Sequence, residues 1–275
     1  MIKKLLKYDL KNIYKVLLLL YSLTIICAIG SKISSSNNES FIILNILNIS
    51  FNILTFSSMA IILVYNMIKL WSRFKNSVYG GESYLTHTLP ITKNDIYISK
   101  ILTALITVTT SVLVSFIAFL IIYGVPQRIS YQSFNVVIDS SEVTEEQQMK
   151  EIQKNIEENQ ELAIQGYKES IVIYGMTFST VLLFLIWIAL TGYFAIILAN
   201  IDNKNIKTDS IILGISLFFL CICINYLILG SFTIFGKDDF YKGELTMIEI
   251  SYYGLICIIY YVLGLKQLRN NINVI

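Results

Sequence analysis

Apolar runs recur along the chain between polar segments, and six of them are long enough to read as membrane spans, at 16–30, 41–71, 92–123, 171–200, 210–235 and 247–265. The first run is short for an apolar core of about 30 Å, so the stretch ahead of it is expected to supply its opening turns. The second run, as a helix, would reach about 46 Å, well past that core, and the third is also over-long. Both are expected to project from the membrane and to lift the polar segment between them clear of the lipid.

That segment, Ser72 to Lys100, carries several local signals. Gly80-Gly81 marks a turn, because glycine accepts backbone angles that other residues avoid. Pro90 biases Leu89 toward an extended backbone and stops a helix arriving from upstream. Thr92 and Asp95 have the spacing of a capping box, so a helix is expected to begin at Thr92 or Lys93. The segment also holds the sole histidine, His87, which reads as an incidental loop residue.

Two further polar stretches differ from it. Residues 1–15 place Lys3, Lys7, Lys11 and Lys15 at every fourth position, with Ile2, Leu6, Leu10, Ile13 and Leu17 on a separate arc. This predicts an amphipathic helix suited to the interface of an anionic leaflet, retained rather than cleaved as a leader, since no small-residue cleavage site follows. Residues 124–170 form an acidic insert. Thr144 and Gln147 are spaced to cap a helix there, and Met149, Ile152, Ile156, Ala163 and Tyr167 form its apolar stripe.

Composition sharpens the picture. Only 15% of the 275 residues are charged and the mean hydropathy is +0.65, against roughly 25% charged residues in soluble domains. The fold class expected is all-α, a single polytopic membrane domain of six transmembrane helices. The four cysteines, Cys27, Cys221, Cys223 and Cys257, all lie in apolar runs and read as small buried hydrophobes rather than as a disulfide or metal set.

Charge sets the expected orientation. Of the 21 Lys and Arg residues, 14 fall on the side that holds both chain ends and 72–100, whereas 14 of the 19 acidic residues fall on the other side. The positive-inside rule then puts both termini in the cytosol and the acidic insert outside. Lys69 and Lys100, at helix ends, are expected to snorkel.

The chain lacks a P-loop, a G-x-S-x-G nucleophile and an H-E-x-x-H zinc motif, so no ATPase or hydrolase chemistry of those kinds is expected of it. Glu145-Glu146 and Glu157-Glu158 read as a solvated face. No charge lies near the centre of a span, which argues against a proton-coupled carrier. Glu249, at the outer end of the last span, is an interfacial residue or part of an exit path. Asn45, Asn48, Asn52, Thr55 and Asn66 share one face of the second span. Such a stripe is costly against lipid, so it forms either a hydrogen-bonded helix interface or the lining of a substrate path. Ser111 and Ser115 form a small-xxx-small pair suited to helix packing.

Glu82, Tyr84-Leu85, Thr88-Leu89-Pro90 and Ser99-Lys100, set between the second and third of six spans, carry a resemblance. The chain resembles the permease subunit of a bacterial ATP-binding-cassette exporter of the second type. The resemblance implies a multi-pass subunit of the bacterial cytoplasmic membrane. It implies, too, that the chain works as a homo- or heterodimer with a second permease and is paired with a separate ATPase subunit. ATP and magnesium would be bound by that partner, with no cofactor on this chain and no nucleic acid involved. It also implies that 72–91, with Glu82, Leu89, Pro90, Thr92 and Asp95, is the coupling loop that meets the ATPase. The substrate would be an amphipathic peptide, a lipid or a drug. The alternative class is a non-transporting membrane scaffold or sensor whose acidic outer insert binds a ligand.

Overall fold

The computed structural model describes residues 2–36, 42–81, 92–124, 145–200, 206–235 and 242–271. Six helices account for nearly all of them: α1 Ile2–Ser36, α2 Ile42–Val78, α3 Lys93–Tyr123, α4 Glu145–Ala199, α5 Ile206–Phe235 and α6 Lys242–Asn271. Each contains a stretch long and apolar enough to cross a membrane. The protein is therefore all-helical among the described residues, with the composition and span lengths of a multi-pass membrane protein.

The helix limits follow from local chemistry. Neither of the two prolines, Pro90 and Pro126, falls within a described helix, in keeping with the cost of proline in a helix interior. Thr92 has an extended backbone and its hydroxyl accepts the Asp95 amide at 3.2 Å, so α3 begins at Lys93. At the far end of α3, Gly124 takes φ 69° and its amide donates to the Leu120 carbonyl at 2.9 Å. Glycine suits that positive φ, and Pro126 follows to prevent continuation.

Successive helices run in opposite directions. Near its start α1 meets the end of α2, where Asp9 bonds Arg73, and near its end it meets the start of α2, where Ser31 bonds Asn48 and Asn52. The same alternation continues through α5 and α6, so the start of α1 and the end of α6 lie at one end of the bundle. Packing divides the chain into two triplets: α1 lies mainly against α2 and α3, and α4 mainly against α5 and α6. The second triplet is centred on the fully buried Trp187, stacked on Phe218 with ring centroids 5.3 Å apart.

Two polar stretches are continuous with the spans that follow them. As expected from the shortness of the first apolar run, residues 2–15 form the opening turns of α1, which continues unbroken to Ser36. No proline or glycine interrupts it before Gly30, so nothing stops propagation of the helix. The second half of the acidic insert is likewise continuous with the fourth span, because α4 runs unbroken from Glu145 to Ala199 and contains the candidate span Ser170–Ala199. Its Glu-, Gln- and Lys-rich opening is made largely of good helix formers. The rest of the insert, 125–144, lies outside the described residues, as does Thr144 of the proposed cap.

Candidate functional site: an ionic clamp at the lysine-rich end

The lysines of α1 do form an exposed face, with Lys3, Lys7, Lys11 and Lys15 all turned outward. The opposite register is the informative one. Asp9, Ile13, Leu17, Tyr21, Thr24, Ala28 and Ser31 repeat every three or four residues, and all seven are buried. Asp9 is the first buried position of that series, with only 2% of its surface exposed.

Two cations from two other helices meet it there. Arg73 Nη2, from the last turns of α2, lies 2.9 Å from Asp9 Oδ1, and Lys100 Nζ, from the early turns of α3, lies 2.6 Å from Asp9 Oδ2. One carboxylate therefore joins three helices. The Arg73 guanidinium also sits over the Tyr8 ring, 5.1 Å from its centroid. Lys100 does not snorkel as a helix-end lysine would. It turns inward and is 3% exposed, because a carboxylate within hydrogen-bond reach offsets its desolvation.

The same ends of α2 and α3 are also fastened to the second triplet. Phe74 stacks on Tyr193 of α4 with centroids 4.4 Å apart, and Tyr97 lies against Phe74 and Tyr261 of α6 at 6.3 and 6.1 Å. Trp71 Nε1 donates to the Ala189 carbonyl at 3.3 Å. Two glycines make these approaches possible: a Cβ on Gly192 would collide with the Trp71 indole, and a Cβ on Gly264 with the Tyr97 hydroxyl. Just beyond α2, the Tyr79 hydroxyl bonds Asn200, and burial pushes its pKa up to about 12, so it stays protonated as a hydrogen-bonding group at neutral pH. Three other helices, α1, α4 and α6, thus converge on the two that flank the 82–91 connection.

The residues singled out in the connection divide accordingly. Thr92 and Asp95 form the α3 cap, of which the structure shows the bond from the Asp95 amide to the Thr92 hydroxyl. Glu82, His87, Leu89 and Pro90 lie outside the described residues.

The asparagine stripe faces largely into the chain. Ser31 of α1 donates to Asn52 Oδ1 at 2.8 Å and to Asn48 Oδ1 at 3.1 Å, and Asn52 Nδ2 also bonds Asn48 at 3.0 Å. Asn66 Nδ2 donates to Ser111 of α3 at 3.1 Å, and Ser111 in turn meets the Tyr21 hydroxyl at 2.8 Å. Thr55 is buried and bonds the Phe51 carbonyl of its own helix at 2.7 Å. Asn45 is exposed near the opposite end of the bundle, and Glu249 is half-buried in α6. Ser111 and Ser115 pack inward, the former on α1 and α2.

All four cysteines are free thiols: Cys27 and Cys221 are buried, Cys257 is half-buried and Cys223 is exposed on the apolar surface of α5. Among the described residues no group of three His, Cys, Asp or Glu side chains is placed to hold a metal ion.

Sequence reasoning missed Asp9. A lone acid among lysines reads as part of a solvated face, yet its register with Ile13, Leu17 and Tyr21 was a usable signal. No protein-family model matches the chain, and no curated protein matches it either.

Proposed function

We propose that this chain is the membrane-spanning subunit of an ATP-driven exporter of the bacterial cytoplasmic membrane. Its lysine-rich end faces the cytosol, where a separate ATPase subunit docks on the 72–91 connection. The working unit is a dimer with a second permease, and hydrolysis takes place in the partner. The observation that carries the reading is the clamp at Asp9. It ties α1 to both helices that flank the connection, and the aromatic contacts of Phe74 and Tyr97 extend that tie to α4 and α6. A force on a connection built this way moves packed helices as a body instead of fraying their ends, which is what transmission from an ATPase to a transport path requires. The buried polar seam along α1, α2 and α3 supports a rigid unit for the same reason. The excess of lysine and arginine at this end favours its cytosolic placement.

The reading is tested by purifying the tagged chain from native membranes and identifying what comes with it. Recovery of an ATP-binding-cassette ATPase, with a turnover that depends on the permease, is the expected result. A chain that is recovered intact and without any ATPase favours a scaffold or sensor.

A further inference from the structure

An apolar groove with a cavity volume of about 790 Å³ lies between α2 and α5, floored by α4. That is within the range of roughly 300–1,000 Å³ common to small-ligand pockets. Trp71 and Lys75 form the α2 wall, Gly192 lies in the floor, and Ile211, Ile215 and Phe218 form the α5 wall. The groove is built by a specific contact. Gly192 has no side chain, so the Trp71 indole lies down against α4 and leaves the space beside it open.

Its position selects the kind of occupant. The α5 wall runs from Ser210 to Phe219, which is about 14 Å of helix, or roughly half of a 30 Å apolar core. The groove is therefore one leaflet deep. Ile211 and Ile215 are 62% and 53% exposed, so its open side faces the surroundings of the bundle, which for a membrane span is lipid. Lys75 stands at the polar mouth, one turn beyond Trp71, beside the exposed Ser72. It is half-buried and forms no ion pair with an acid of the described residues. Asp209, next to Ser210 at the start of α5, makes no such pair with it.

We infer that this groove holds one anionic phospholipid of the leaflet at the lysine-rich end. An acyl chain lies along Trp71, Ile215 and Phe218, and the phosphate sits against Lys75 Nζ and the Ser72 hydroxyl. The charge of Lys75 is complemented by the phosphate, and the apolar walls by the chain. Trp71 sits at the depth where aromatic rings favour the interface. The inference does not depend on an ATPase partner.

The test uses the full-length chain purified in mild detergent, with phosphatidylglycerol and phosphatidylcholine of matched acyl chains supplied at equal concentration, read by native mass spectrometry. The wild type is expected to retain phosphatidylglycerol about fivefold in preference, the factor that one interfacial lysine confers. Lys75→Gln should bring the two lipids to parity. Lys69→Gln, whose ammonium sits over Tyr65 outside the groove, should leave the preference intact. Gly214→Leu should fill the groove and reduce retention of both lipids, since a Cβ there meets only Ala195 at 3.5 Å and has room to project. A photo-crosslinking residue at Ile215 should acquire the mass of a phospholipid. Retained preference in Lys75→Gln, an equal loss in Lys69→Gln, or a crosslink from Ile215 to a second copy or another protein would overturn the inference.

Discussion

The Asp9 carboxylate and the Lys100 ammonium meet at 2.6 Å although 91 positions separate them, and their side chains are 2% and 4% exposed. A pair so far from water is costly to break from one side only. Asp9→Asn leaves Lys100 buried beside a neutral amide and should destabilise the chain by about 3–5 kcal/mol. Asp9→Asn with Lys100→Met should recover part of that loss. Thermal unfolding of the detergent-solubilised chain checks both, and equal stability of the single and double variants would deny the pair its role.

Gly264 lets Tyr97 approach α6. Gly264→Ala drives a methyl group into the Tyr97 hydroxyl and should destabilise by about 1–3 kcal/mol, as overpacking does. The Tyr97 hydroxyl has no hydrogen-bond partner of its own, so Tyr97→Phe should be nearly neutral alone. Combined with Gly264→Ala it should recover part of the lost stability, since the ring carbon that carried the hydroxyl still lies 3.1 Å from the added methyl. A double-variant cycle on the same unfolding signal measures this coupling.

Asn52 bridges α2 to α1 through Ser31. Asn52→Leu should lower stability by about 1 kcal/mol for each interhelical bond lost and leave transport rates of the assembled complex unchanged. Impaired transport in a fully stable variant would instead assign the asparagine face to the substrate path.

Six alternating spans place the end of α2 and the projecting part of α4 on opposite sides. In a background without the native cysteines, single cysteines at Asn76 and at Lys168 should react with an impermeant thiol reagent from opposite sides of the membrane. Asn76 is the suitable probe at the end of α2 because it is exposed, whereas its neighbour Ser77 is buried. Reaction of both from one side would contradict the topology.

The spans were legible because a lipid-facing helix must be apolar nearly all round, and runs such as 171–200 and 210–235 leave no other reading. The α3 start was legible because a cap is local: Thr92 and Asp95 lie within one turn. The clamp was not. Asp9, Arg73 and Lys100 are each unremarkable among the basic residues of their own segments, and only the packing of three helices brings them together. The glycines were equally silent, since Gly192 and Gly264 differ from other glycines only in what lies across from them. The continuity of α1 was legible because its apolar run is too short to cross alone, whereas that of α4 was not, because a change from polar to apolar resembles an element boundary although a helix propagates through it when no breaker is present.

The most direct measurement compares the purified wild-type chain with Glu82→Lys and Pro90→Ala, reading both the ATPase retained and its substrate-stimulated turnover. The wild type should retain the ATPase and stimulate it. Glu82→Lys should lose the partner by reversing a contact charge, and Pro90→Ala should keep it but loosen the link between ATP turnover and transport. A wild type that retains no ATPase, or variants that match the wild type in retention, turnover and transport, would contradict the account.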